Sequence, residues 1–455
     1  MQLSTRKQPN VIVFFTDQQR WDTTGVHGNP LGLTPNFDRM ARMGTHLDYA
    51  FTCQPVCGPA RSSLQTGLYA TETGCYTNGI PLPEDMPTLA KYYNAAGYET
   101  GYIGKWHLAC TRDQPVPPQL RGGYKHWLAA DALEHTSDAY DTKVYNEAGE
   151  AVQLPGYRVD ALTDAAIRFI DQQSRADNPF FLFLSYLEPH HQNHRDDYPA
   201  PDVYRDAYTS RWTPPDLAAL TGTAPQHLGG YYGMVKRLDE ALGRVMDALR
   251  SLRLTDETII LFTSDHGSHF KTRNGEYKRS CHESSIRVPT AFYGADFIGG
   301  GRVGELVSLV DLVPTLLDAS GIEVPKHMQG RSIVPLLRGS RTDWPQEVFV
   351  QISESQVGRA IRTHRWKYSV SAPDADPIRD ASAPVYQEEF LYDLYADPYE
   401  LTNLAGYDSH REVADTLRET LIRRIVEAGE AAPVIEAAPS VAAGQRKVRP
   451  QENVE

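Results

Sequence analysis

The sequence predicts an α/β fold: a large mixed, mostly parallel sheet sandwiched by helices, with a smaller C-terminal α+β subdomain that contains a short antiparallel sheet. Two observations lead there. Short β-branched and aromatic runs alternate with segments whose apolar residues recur every three or four positions, the mark of strands separated by helices. After "LLRGSRTDWPQ" that alternation gives way to closely spaced strand-like runs and then one polar helix.

In chain order, strands are expected at "NVIVFF" (10–15), "YETGYIG" (98–104), "PFFLFLSY" (179–186), "ETIILFTS" (257–264) and "VPTAFYG" (288–294). Helices are expected at "LTPNFDRMARMG", "DMPTLAKYYNAAG", "DALTDAAIRFIDQQSR", "HLGGYYGMVKRLDEALGRVMDALRSL" and "LVDLVPTLLDASG". Further on, "EVFVQIS", "GRAIRTHRWKYSV" and "EEFLYDLYADPYE" read as antiparallel strands, closed by the helix "REVADTLRETLIRRIVEAG". The expected division is a main domain over 1–345, a C-terminal subdomain over 346–430 and a disordered tail over 431–455, rich in Ala, Pro, Val and charge.

A chain of 455 residues can bury one large core and a smaller appended unit. Its formal net charge of −13 argues against a broad basic surface for nucleic acid or an acidic membrane. Five cysteines (Cys53, Cys57, Cys75, Cys110 and Cys281) contain no CxxC pair, so no disulfide framework is expected. The early apolar run "VIVFF" is followed at once by "TDQQR", and no membrane span is expected. No apolar export segment follows the basic opening, which points to the cytoplasm, or to a periplasmic or secreted location if a signal has been removed.

In open α/β sheets, ligands bind beyond the carboxyl ends of the strands. Here four such ends carry polar chemistry: Asp17-Gln18 after the first strand, Lys105 and His107 after the second, Glu188, His190 and His191 after the third, and Asp265-His266 after the fourth, with Lys278 close behind. Asp17 and Asp265 suit a hard divalent cation, with Gln18 adding a carbonyl oxygen and His266 a nitrogen; the alternative is that strand-end carboxylates cap the following helices. Lys105 and Lys278 can neutralise an oxyanion, and His107 and His190 can exchange protons near neutral pH. Taken alone, each lysine reads more readily as a solvated surface residue, and each histidine equally well as a structural one. Cys57 opens a helix whose Pro59 lies in the first turn, so a low-pKa thiolate is one reading of it.

The run Cys57-Gly58-Pro59-Ala60-Arg61, followed by "SSLQTGLYATETG", resembles the signature of the type I sulfatases, the formylglycine-dependent family of the alkaline phosphatase superfamily. "NVIVFFTDQQRWD", "TGYIGKWHL", "LFTSDHG" and "LYDLYADPYELTNL" are similar to further family motifs in the same order, so the resemblance spans most of the chain. It implies an alkaline-phosphatase-like fold with a catalytic domain over 1–345, and hydrolysis of a sulfate monoester to an alcohol and sulfate. It implies that a maturation enzyme oxidises Cys57 to formylglycine, whose hydrated form attacks sulfur with one oxygen on the metal. Asp17, Gln18, Asp265, His266 and residue 57 would hold that ion, with calcium expected first and magnesium or manganese as alternatives. Arg61 and Lys105 would position the gem-diol, His107 would take a proton from its second hydroxyl, and His190 and Lys278 would bind the ester and assist departure of the alcohol.

The chain departs from the family at Gln18, where many relatives carry a second aspartate, and at His266, often an asparagine. His282 and Glu283, close behind Lys278, are expected to line the substrate pocket or else to support its loop. The Tyr-, Trp- and Asp-rich segments 111–160 and 191–225 are expected to shape the mouth, and their composition leans towards a sulfated mono- or oligosaccharide. The runner-up function on the same site is hydrolysis of phosphonate monoesters or phosphodiesters.

Overall fold

The computed structural model describes residues 8–340 and 343–441. We number its strands β1 (Asn10–Thr16), β2 (Thr45–Phe51), β3 (Glu99–Lys105), β4 (His126–Ala130), β5 (Ser137–Asp138), β6 (Asp141–Tyr145), β7 (Ala151–Leu154), β8 (Phe180–Ser185), β9 (Thr258–Ser264), β10 (Thr290–Tyr293) and β11 (Gly301–Ser308). These form one sheet in the order β11-β2-β10-β9-β1-β8-β3-β4-β6-β5, with β7 paired to β6. The central run β9, β1, β8, β3, β4 is parallel, whereas β10 and the β4–β7 meander add antiparallel pairs.

Strand β1 shows why the sheet sits between two helical layers. Val11, Val13 and Phe15 pack into a cluster with helices Cys57–Thr66, Leu89–Ala95 and Leu309–Ala319. Ile12 and Phe14 point the other way, into a cluster with helices Pro35–Met43, Arg158–Gln173 and Ala224–Ser251. A strand apolar at every position has both faces to bury, and its two-residue period divides them between the layers.

A second sheet contains β12 (Glu347–Ile352), β13 (Val357–Thr363), β14 (Trp366–Ala372), β15 (Val385–Asp393) and β16 (Val434–Glu436). The first four are antiparallel, as the sequence predicts. The fifth corrects the reading of the tail: Val434–Glu436 lies parallel to β15, its Ile435 buried in the core, because a short alternating stretch finds an open sheet edge to cover. The rest of that expected tail, 442–455, lies outside the described residues. Phe349, Ile361 and Trp366 of this sheet share one apolar cluster with β1 and helix Leu309–Ala319, so the boundary near 346 is a change of topology within a common core. Among the described residues, no helix is long and apolar enough to cross a membrane.

One glycine sets the spacing behind the site. Gly104 has φ 110°, and a Cβ there would stand 1.8 Å from the Ser185 carbonyl oxygen on β8. Gly104→Ala is therefore expected to destabilise the fold by about 3 kcal/mol or more, read from the denaturant midpoint. An unchanged midpoint would show that β3 and β8 can part without cost.

Candidate active site

Register brings the site together. Strands β1 and β9 finish in step at Thr16 and Ser264, and Ser185 of β8 sits level with Phe15 on one side and Gly104 on the other. The next residues, Asp17, Asp265, Lys105 and, beyond a turn, His190, therefore leave the sheet at one rim. Helix Cys57–Thr66, buried along its whole length, points its first residue at that rim and ends at Gly67 in the left-handed region. The four-residue spacing from Cys57 to Arg61 sets both side chains on one face.

Asp17 is the hub. Its Oδ2 accepts from Arg61 at 2.9 Å and from Lys105 Nζ at 2.9 Å, while Oδ1 lies 3.5 Å from Cys57 Sγ. Arg61 also donates to Ser185 Oγ and the Lys105 carbonyl, both at 2.8 Å, and stacks on Phe15. Lys278 Nζ reaches Cys57 Sγ at 2.8 Å and His190 Nε2 at 3.2 Å. His190 pairs its Nδ1 with the His191 carbonyl at 2.6 Å, so the neutral ring presents a bare Nε2 to Lys278. His107, half-buried, turns its ring to the Cys57 thiol, with its backbone N–H on the Asp131 carbonyl at 2.8 Å.

The electrostatics follow from burying these groups together. Desolvation opposes charge on Cys57, but Lys105 and Lys278 outweigh it and hold the thiol well below its usual range. Burial and then the Cys57 charge oppose ionisation of Asp17, and Lys105 and Arg61 override them to hold the carboxyl low. Asp265 moves the opposite way, raised by burial and then by the neighbouring Asp17 charge. His190 is held below the ordinary imidazole range by burial and by Lys278.

The donor set fits a divalent cation. One ligand atom each from Asp17, Cys57, Asp265 and His266 lies within 4.8 Å of the others, and all four residues are buried. His266 donates Nδ1–H to the Gly267 carbonyl at 2.9 Å, which leaves Nε2 bare, 3.3 Å from Cys57 Sγ and 3.5 Å from Asp265 Oδ1. Gln18 gives its amide nitrogen to the Tyr198 hydroxyl at 3.0 Å, and its buried Oε1 has no hydrogen-bond partner. That orphaned oxygen, beside a carboxylate raised for want of compensating charge, is what a cation would satisfy.

The structure thus gathers Asp17, Gln18, Cys57, Arg61, Lys105, His107, His190, Asp265, His266 and Lys278 around one point. It does not bring His282 or Glu283 there. Glu283 is bonded to Lys367 at 2.9 Å and Arg362 at 3.2 Å, and His282 Nε2 to the Tyr392 hydroxyl at 3.1 Å. The chain turns away after Lys278 because β13, β14 and β15 offer these buried side chains charged and polar partners; they tie the second sheet to the first. Sequence reasoning missed Glu134, whose buried Oε1 lies 3.1 Å from Lys105 Nζ and whose pKa Lys105 lowers in spite of burial. Nothing in "ALEHTSD" marks it; only the packing of the 131–138 turn against Lys105 does.

Residues 9–322 match the family model described as Sulfatase, and residues 275–427 match one described as N-sulphoglucosamine sulphohydrolase, C-terminal. The chain is 29% identical over 443 residues to an ulvan-active sulfatase of Formosa agariphila, covering 93% of this chain and 82% of the relative. It is 26% identical to an N-acetylglucosamine-6-O-sulfatase of Bacteroides thetaiotaomicron, covering 91% and 86% of the two chains. Among solved structures, it superposes on the putative sulfatase yidJ of Bacteroides fragilis with a TM-score of 0.80 and 25% identity, covering 94% and 98%. With its sheet order and rim of strand-end residues, this chain belongs to the sulfatase family, the sulfuric ester hydrolases of alkaline-phosphatase-like fold.

Proposed function

We propose that this enzyme hydrolyses a sulfate monoester on a saccharide, with Cys57 matured to formylglycine and a divalent ion held by Asp17, Gln18, Asp265, His266 and residue 57. The observation that carries the reading is the convergence on Cys57 Sγ of Lys278 at 2.8 Å, His266 at 3.3 Å and Asp17 at 3.5 Å in a buried site. A lone catalytic thiolate would need one base; this array is built to handle a tetrahedral oxyanion. The carboxylate and amide oxygens favour a hard ion, calcium first, with magnesium or manganese as alternatives. When present, the hydrated aldehyde supplies the nucleophilic oxygen and the ion supplies positive charge beside it.

The chain's own residues divide the remaining work. Arg61 and Lys105 hold Asp17 ionised and fixed in place, and Glu134 in turn positions Lys105. Lys278 Nζ stands where it can bind a sulfate oxygen, and its hydrogen bond to His190 Nε2 keeps a proton next to the departing alcohol. His107 accepts a proton from the group at position 57. Burial of the cluster keeps bulk water from screening these charges. Because Cys57 is itself buried, a maturation enzyme must reach it before the chain has folded. The names of the ulvan-active and N-acetylglucosamine-6-O-sulfatase relatives support a saccharide as the alcohol.

The test is a side-by-side rate measurement of the matured chain on an aryl sulfate, a phosphodiester, a phosphonate monoester and a panel of sulfated saccharides. Sulfate esters are expected to dominate, with a saccharide best among them. Faster turnover of the phosphodiester or phosphonate would overturn the assignment.

A further inference from the structure

A cavity of about 640 Å3 opens between segment 138–141, the loop after His190 and the first turns of helix Ala224–Ser251. Its volume falls among those of small-ligand sites, about 300–1,000 Å3. No residue of the Cys57 cluster lines it, yet two of its walls begin in that cluster. One runs from Glu134, the partner of Lys105, to Asp138; the other runs from His190 to segment 195–200. Gln192 stitches the two, its Nε2 donating to the Glu134 carbonyl at 3.0 Å and the Ser137 carbonyl at 2.9 Å. Tyr198, on the cavity wall, carries Gln18 on its hydroxyl at 3.0 Å. Rings continue the connection, from His190 to His191 at 4.3 Å, to Tyr277 at 4.4 Å and to His227 of the wall at 6.3 Å.

The cavity is acidic, and its cations are spent. Asp138, Asp141, Asp197 and Asp202 line it against Arg195 and Arg205. Arg195 is paired with Asp138 at 2.8 Å and Asp197 at 3.4 Å, and Arg205 with Asp202 at 3.0 Å and Asp206 at 3.2 Å. Burial holds His227 below the usual imidazole range, so it adds no charge at neutral pH. The Asp197 side chain is 45% exposed, and Tyr140 stands on the wall with 59% of its surface exposed. Spare acceptors beside an open aromatic face suit a ring bearing hydroxyls or an ammonium group. A sulfate placed there would meet four carboxylates against two guanidiniums, both already paired with carboxylates.

We propose that this cavity is the subsite for the sugar residue next to the sulfated one, accepting a neutral or amino-bearing residue and rejecting one with a second sulfate. The proposal rests on the sulfated-saccharide reading above. Its content is a charge rule: the enzyme acts where sulfation is sparse, against the pattern expected if strongly sulfated chains were the preferred substrate.

The experiment compares three probes on the matured full chain: 4-nitrophenyl sulfate, the best monosulfated disaccharide of the panel, and that disaccharide with a second sulfate on its neighbouring residue. The monosulfated form is expected to exceed the disulfated one in kcat/KM by about tenfold. Asp141→Asn with Asp202→Asn should narrow that gap at least threefold, chiefly through KM. Gln226→Trp, at an exposed position on the wall, should lower kcat/KM on the disaccharide at least tenfold more than on the aryl ester. A disulfated preference, an unmoved gap in the Asn variants, equal losses on both probes for Gln226→Trp, or aryl turnover with no disaccharide turnover would each overturn the subsite. Absence of sulfate release from every probe would overturn the reading of the Cys57 site, and the subsite with it.

Discussion

Asp17→Asn is expected to lower sulfate release by about three orders of magnitude or more and to abolish divalent-ion binding at once. The side chain keeps its shape but loses the charge that two buried cations share: Arg61 and Lys105 each reach Asp17 Oδ2 at 2.9 Å. Removing one partner of a buried ion pair costs roughly 3–5 kcal/mol. The loss is cushioned here, because Lys105 retains Glu134 at 3.1 Å and Arg61 retains Asp265 at 3.4 Å. The variant should therefore fold with a lowered denaturant midpoint while failing in catalysis. Turnover, calorimetric ion titration and the midpoint check it together. Metal-dependent turnover within tenfold of the parent would remove Asp17 from the ligand set.

Lys278→Ala should cost about 10²–10³-fold in turnover of every sulfate ester, with little change in stability. Two buried lysines beside the same sulfur differ in what else holds them. Lys105 is clamped between Asp17 and Glu134 and helps hold the folded site together. Among the described residues, the hydrogen bonds of the Lys278 ammonium go to Cys57 and His190 and to no carboxylate, so its charge is left for a ligand. The discriminating measurement is the pair of variants side by side. Lys105→Ala is expected to lose stability as well as activity; Lys278→Ala should lose activity and its affinity for inorganic sulfate at a near-parental midpoint. Parental rates in Lys278→Ala would take that residue out of the site.

The central strands were legible because β1, β8 and β9 carry unbroken apolar runs and β3 carries the strand formers Tyr102 and Ile103, and the residues at their ends announced the rim. Strands β2 and β11 went unread: "THLDYAF" and "GRVGELVS" mix charge into the pattern, which suits positions away from the buried centre. The β4–β7 meander also went unread: its strands are five residues or shorter, and β5 to β7 mix polar residues into the pattern. In the site, the residues that strand-end logic and the Cys57 signature could name came together except Glu188, whose carboxylate pairs with Arg158 at 2.8 Å. Glu134 could not be read, since its role exists only where a turn from another part of the sheet meets Lys105. His282 and Glu283 show the converse, for closeness to Lys278 in sequence did not survive the turn at Cys281. Gln18 is the instructive case. The sequence showed a neutral amide where many relatives carry a carboxylate; in the structure Tyr198 accepts from its nitrogen, and its oxygen has no partner among the described residues.

The central claim is that Cys57 is the precursor of the nucleophile. Peptide mass spectrometry across residues 53–61, run on preparations that span a range of specific activities, tests it most directly. An aldehyde is expected in place of the thiol, in a fraction that rises in proportion to sulfate release. Full sulfate release from a chain whose Cys57 is entirely unmodified thiol would contradict it.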